Sequence, residues 1–290
     1  MKLANYEKDG FVRAGLVKGD QVFDIFVGSN KENVPSVDQI LDGGLLDVVR
    51  GSEAALTGGM GTPLSSARLR SPVMYPEKII MVGVNYWGHS KEENIKPPEN
   101  PYLFTKFRNA LIGPGEPIIV PKVSQRVDWE VELTVVIGKK GKDISKNDAY
   151  AHVAGYTVSN DVSMRDFQKK ASVGLGLNWV KGKGMDGTFP LGPWLVTRDE
   201  IPDPHTLGIS LAVNGEQKQS SNTADMIFKV DDLVSYASIG TTLQPGDVIS
   251  TGTPGGVAEG SGSPFLKQGD VVEARIDRIG TLRNPVEAER

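Results

Sequence analysis

The chain contains no cysteine. That excludes disulfides, thiolate nucleophiles and cysteine-ligated zinc or iron–sulfur centres. Histidine is nearly as scarce, with three among 290 residues. A bound metal would therefore rest mainly on oxygen donors, which suit hard cations such as Mg²⁺ or Mn²⁺. Positive charge is not in excess: 32 Lys and Arg against 36 Asp and Glu leave a formal net charge of −4. With the cations scattered, nucleic acid and anionic membrane surfaces are poor partners. No apolar run nears the ~20 residues that span a bilayer. The opening MKLANYEKDG lacks the apolar core of an export signal, so the cytoplasm is the expected compartment. Internal repeats and low-complexity tracts are missing as well.

What is present is an ordinary globular composition, 39% hydrophobic, in a length that accommodates one large domain and a small one. Residues 1–26 alternate apolar runs with the turn signals Lys8-Asp9-Gly10 and Lys18-Gly19-Asp20, which predicts a three-stranded meander. Two short helical patterns follow from Ser36. The stretch Thr57-Gly58-Gly59-Met60-Gly61-Thr62-Pro63 reads as a linker, dividing a small N-terminal α+β domain (1–70) from a larger one (71–290). In the larger part, strands are expected at Lys78–Val82, Trp129–Ile137 and Val153–Asp161, with Ser145 and Ser163 opening capping boxes. Asn214-Gly215 after Ile209–Val213 is a hairpin signal. A helix near Val230–Ile239, a turn at Pro245-Gly246-Asp247 and strands at Val248–Thr251 and Val271–Ile276 complete the pattern. Strands far outnumber crossover helices, so the fold class is mixed α+β rather than a doubly wound sheet.

Chemistry concentrates in Asp128-Trp-Glu130-Val-Glu132-Leu133. Glutamates two apart on a strand project from one face with Cβ atoms ~7 Å apart, close enough for one cation to bridge them. The pattern alone also fits a solvated strand face. Asp161 ends the next strand, where an ordinary turn aspartate is an alternative. Beyond it, Arg165 and Gln168 are i, i+3 neighbours on a helix, a combination of fork and amide suited to a substrate carboxylate. His89 and Glu92 in Gly83-Val-Asn85-Tyr-Trp-Gly-His89-Ser-Lys-Glu92 fall side by side on a single helical turn, where the carboxylate can orient the imidazole for proton transfer. His152 and His205 have no comparable company.

The segments GVNYWGHSKEEN, DWEVELTVVIG, GYTVSNDVSMRDFQ, KGKGMDGTFPLGPW and GDVISTGTPGGV, taken in order, resemble the fumarylacetoacetate hydrolase family, in its bacterial acylpyruvate hydrolase and 2-hydroxyhepta-2,4-diene-1,7-dioate isomerase-like branch. The resemblance covers essentially the chain beyond residue 70. It implies a mixed β-roll/β-sandwich catalytic domain and a divalent cation, Mg²⁺ or Mn²⁺ with Ca²⁺ as a substitute, on Glu130, Glu132 and Asp161. It further implies a catalytic set of His89, Glu92 and Lys183, with Arg165, Gln168 and Thr253 binding substrate. A lid from Gly88 to Asn100 and a homodimer are implied too. Phe104-Thr-Lys106-Phe-Arg-Asn109 departs from the family's usual segment, which bears on the distal pocket. Trp87, Phe107, Arg108 and the Val173-Gly-Leu-Gly-Leu177 loop are candidates for that pocket.

The chemistry so implied is hydrolysis of a carbon–carbon bond in a 2,4-dioxo acid (acylpyruvate, fumarylpyruvate or a 2,4-diketo-3-deoxy sugar acid), with enolate stabilisation as its core. The alternative is decarboxylation, hydration or oxaloacetate-type tautomerisation on the same scaffold. A third reading is a non-catalytic protein that binds a metal and a dicarboxylate.

Overall fold

The computed structural model describes residues 1–26, 34–53, 61–169 and 176–290. The backbone is mostly sheet with few helices, the mixed α+β architecture that the strand-rich pattern predicts. Its largest sheet has twelve strands among the described residues, and a five-stranded sheet packs against it. Val131–Ile137 runs through the middle of the large sheet, and every residue of it is buried. A run of β-branched and aliphatic side chains, VELTVVI, suits such a doubly covered strand.

Register decides where the site forms. Val131–Ile137 is antiparallel to Val153–Asn160, pairing Glu132 with Ser159, and antiparallel to Val248–Ser250, pairing Thr134 with Ser250. Val248–Ser250 in turn runs parallel to Ile79–Gly83. One end of the sheet therefore collects the residues just before Val131 and those just after Asn160, Ser250 and Gly83. Four stretches far apart in sequence meet there.

The N-terminal meander forms as Lys2–Lys8, Phe11–Lys18 and Gln21–Asp24. It joins the large sheet through Leu3 against Leu195 of Phe189–Thr197. Ser36 caps Val37–Asp42 with a full capping box, as the helical pattern requires. Positions 57–60 of the glycine-rich stretch lie outside the described residues, and Thr62–Pro63 pairs as a short strand with Gln21–Asp24. Asn214 and Gly215, with φ of 54° and 80°, make the tight turn between Gly208–Val213 and Glu216–Asn222. Val230–Ser238 is the expected helix.

Two expected caps come out differently. Ser145 does accept the Asp148 N–H, but it opens a 3₁₀ segment, Lys146–His152. Ser163 is no cap. With Met164 it pairs antiparallel to Val127–Asp128, and its hydroxyl donates backward to the Asp161 carbonyl. Asp166 is drawn instead to Ser124 Oγ and the Gln125 N–H. Tertiary partners outcompete the local box, and the helix starts at Arg165.

Candidate active site

Glu130, Glu132 and Asp161 converge with ligand oxygens all within 4.8 Å of one another, and all three are buried. The solvated-face alternative for the strand glutamates is thereby excluded. Backbone pairing explains the convergence: the Asp161 N–H donates to the Glu130 carbonyl, and Glu130 N–H donates to Asn160 Oδ1. Glu132 Oε2 accepts from the Ser250 hydroxyl at 2.6 Å and the Gly252 N–H at 2.9 Å. Gly252 has φ of +91°, and a Cβ there would come 2.8 Å from Asn85 Cβ. Glycine is required for that amide to reach the carboxylate.

Three cations answer the carboxylates. Lys183 Nζ donates to Glu130 and Asp161, each at 2.7 Å. Lys106 Nζ donates to Asp161 at 2.8 Å and to the Val162 carbonyl at 2.9 Å. Arg165 reaches Asp128 through Nε at 2.8 Å, while its Nη2 lies 2.6 Å from Glu130 Oε1 as an ion pair, off the line of a hydrogen bond. Burial pushes the Glu130 carboxyl up, but the charges of Lys183 and Arg165 outweigh it and hold that carboxyl down at about 2. At Glu132 burial and the neighbouring Asp161 and Glu130 all act upward, leaving its carboxyl well above the usual range. The Ser250 hydroxyl and the Gly252 N–H that donate to Glu132 are both neutral.

This donor set fits a hard divalent cation. With Glu132 ionised, the four carboxylates of Asp128, Glu130, Glu132 and Asp161 exceed by one the three cations Lys106, Arg165 and Lys183 that answer them among the described residues. A divalent ion would relieve the repulsion at Glu132 and leave a net positive centre suited to a substrate carboxylate. All candidate donors are oxygens, which points to Mg²⁺- or Mn²⁺-type ions.

A cavity of about 280 Å³ opens over the cluster and is lined by Glu130, Glu132, Arg165, Gln168, Lys183, Thr253 and His89, with an apolar wall beyond. Gln168 Oε1 accepts from Arg165 Nη1 at 3.2 Å. The Thr253 hydroxyl donates to the Val131 carbonyl and accepts from Gln219. His89 and Glu92 ride on the helix Trp87–Glu92, with Nδ1 3.5 Å from Glu92 Oε2. Glu92 does not line the cavity; its carboxylate accepts the Gly256 N–H at 3.0 Å. Burial would raise the Glu92 carboxyl, yet the neighbouring His89 ring and the Gly256 N–H leave it lowered. The expected lid segment is held at Gly88 by Asp225 and at Ser90 by the Ile95 carbonyl.

Sequence reasoning did not anticipate Lys106 or Asp128 as members of the centre. Neither carries a local signal: Lys106 meets Asp161 across 55 positions. For the distal pocket, Trp87, Phe107 and Arg108 are exposed and do not line the cavity. Arg108 stacks on Tyr75, and Phe107 packs by Gly184. Val173 to Leu175 lie outside the described residues. Leu177, the end of that loop, does line the wall, together with Val82, Val84, Ile95, Tyr102, Phe104 and Trp179. His152 bonds the Lys139 carbonyl and His205 accepts the Val230 N–H, both remote from the cavity lining.

A buried cluster of carboxylates that could hold a divalent cation forms the floor of a small cavity at one end of a large mixed sheet. The chain belongs to the fumarylacetoacetate hydrolase family: the family model described as Fumarylacetoacetate (FAA) hydrolase C-terminal matches residues 78–287. It is 51% identical over 223 residues, 77% of this chain and 69% of the relative, to a Xenopus laevis protein named oxaloacetate tautomerase fahd2, mitochondrial. Among solved structures it is similar to a fumarylacetoacetate hydrolase from psychrophilic Exiguobacterium antarcticum, with TM-score 0.81 and 34% identity over 100% of both chains. It is likewise similar to a maleylpyruvate hydrolase from Sphingobium sp. SYK-6 in complex with manganese (II) ion and pyruvate, with TM-score 0.83 and 32% identity over 100% of both chains.

Proposed function

We propose that the protein is a divalent-cation-dependent tautomerase that interconverts the enol and keto forms of a small 2-oxo acid, with oxaloacetate as the substrate to test first. The observation that carries this reading is the 51% identity over 77% of the chain to a protein named oxaloacetate tautomerase. Glu130, Glu132 and Asp161 would hold the cation, which when bound supplies Lewis-acid stabilisation of charge on the 2-oxo oxygen. Lys183 adds a fixed positive charge beside that oxygen. Arg165 and Gln168 orient the carboxylate, and Thr253 closes the floor of the cavity. His89 moves the proton at carbon 3, with Glu92 fixing the imidazole through Nδ1 so that Nε2 faces the substrate. The apolar wall keeps bulk water from competing for that proton.

Hydrolysis of an acylpyruvate is the second reading, favoured by the maleylpyruvate hydrolase neighbour and by the retained His89–Glu92 pair. It asks Glu92 to act as a base for water. A carboxylate that is lowered, accepts a backbone N–H and sits off the cavity wall is poorly suited to that. Orienting a neighbouring imidazole is the lighter task.

The two readings separate in a paired assay with Mg²⁺. Decay of the oxaloacetate enol is followed by absorbance, and pyruvate release from acetylpyruvate by a coupled assay. The expected result is accelerated enol decay that EDTA abolishes, with no pyruvate released. His89→Ala should slow the tautomerisation by roughly 10²–10⁴-fold without shifting the melting temperature. Pyruvate release with uncatalysed enol decay would establish the hydrolase instead, and inactivity in both assays would leave a binding protein. The homodimer belongs to the same proposal and is checked by light scattering.

A further inference from the structure

Beyond the charged floor the cavity changes character. The Phe104 ring lies 5.5 Å from Lys183 Nζ, Trp179 stacks on Phe104 at 4.3 Å and 21°, and Tyr102 follows at 5.6 Å from Trp179. This aromatic row leads outward, from a lysine 1% exposed to a tyrosine 47% exposed. The Trp179 indole N–H donates to the Tyr102 hydroxyl at 2.8 Å, so its polar edge is engaged within the row. Tyr102 and Trp179 belong to none of the hydrophobic core clusters of the described residues.

The charges near this row matter as much as the rings. The lysine and arginine that line the cavity, Lys183 and Arg165, are both bound to inner carboxylates. The other charged lining residues are acidic: Glu93, and Glu259, which is paired with Arg126. A second substrate carboxylate reaching outward would meet aromatic faces and negative charge. A flat uncharged group would meet complementary faces at stacking distance.

We infer that this outer half of the cavity is a subsite for a flat apolar substituent on carbon 3 of the 2-oxo acid, with Trp179 as the residue that sets the preference. The inference deepens the proposed function and rests on it for the identity of the reacting end. Oxaloacetate occupies only the charged floor, and acids carrying an aryl or other planar group there use both halves. Specificity comes from Trp179 and Phe104 stacking, with Glu93 disfavouring an outer carboxylate.

The test compares phenylpyruvate with pyruvate, which differ by one ring on carbon 3, by calorimetric titration of the Mn²⁺-loaded protein. Phenylpyruvate should bind at least about fivefold more tightly, in line with one stacked ring plus its buried area. In Trp179→Ala that ratio should fall to near one, while Trp179→Phe keeps most of it; melting curves confirm that each variant is folded. Equal affinities in the unaltered protein, or a ratio that survives Trp179→Ala, overturn the inference. Failure of the tautomerase reading shows separately, as an uncatalysed oxaloacetate enol alongside an intact binding ratio.

Discussion

Glu132 concentrates the cost of building a cation centre in a protein interior. It is 1% exposed, faces two other acids and is raised far from its ordinary range. Without a divalent ion the fold must tolerate that group protonated or destabilising. Glu132→Gln removes the repulsion and keeps an oxygen for the Ser250 and Gly252 donors. The metal-free variant should therefore melt higher than the metal-free parent, by about 1–3 kcal/mol of stability. Added Mn²⁺, which should raise the parent's melting temperature, should leave the variant nearly unmoved. Scanning fluorimetry in EDTA and in Mn²⁺ reads both effects, and an undiminished Mn²⁺ response would remove Glu132 from the ligand set. The i, i+2 glutamates were legible in sequence because strand periodicity fixes their common face. Lys106 and Asp128 were not, because long-range register rather than local spacing brings them in.

Elements show the same division between local and distant causes. The Asn214-Gly215 hairpin and the Val230–Ser238 helix could be read from residue type alone. The Ser163 cap could not, since Val127–Asp128 claims that backbone first. The start of Val230–Ser238 adds a device absent from its local sequence: His205, 25 residues upstream, accepts the Val230 N–H through Nε2 at 3.1 Å. Only a neutral imidazole can accept there. Burial, then the Lys229 charge, lowers the His205 pKa below its ordinary 6.5. For a base lowered in the folded state, the unfolded chain binds the extra proton. The stabilisation is thus complete above about pH 6.5 and is lost as pH falls through the lower folded value. His205→Ala should cost about 1 kcal/mol at pH 8 and flatten the stability profile on its acid side. Chemical denaturation of both proteins at pH 8 and pH 5 measures this; an equal loss at both pH values would exclude the titrating cap.

At the scale of the molecule, the proposed division near residue 70 separates sequence patterns more cleanly than it separates packing. Leu3, Leu16, Ile25, Val37 and Ile40 share one buried cluster with Ile79, Met81, Val136, Leu191 and Val248. Asn5 binds the strand it sits on to the far side of the division. Its amide donates to Asp38 and to the Ser71 and Pro72 carbonyls, and its oxygen accepts the Val37 N–H. Met81 and Val136 belong to strands whose ends carry the site, Ile79–Gly83 and Val131–Ile137. Deleting residues 1–70 removes no member of the acidic centre, yet it would strip the cover from that cluster and expose an edge of the large sheet at Phe189–Thr197. The shortened chain should therefore lose its cooperative melting transition and its Mn²⁺ response together, while the full chain melts in a single step by circular dichroism and by tryptophan fluorescence. A truncated protein that still melts cooperatively and binds Mn²⁺ would show that the catalytic part folds alone. The N-terminal strands would then be an accessory cover rather than part of the scaffold that holds Glu130, Glu132 and Asp161 together.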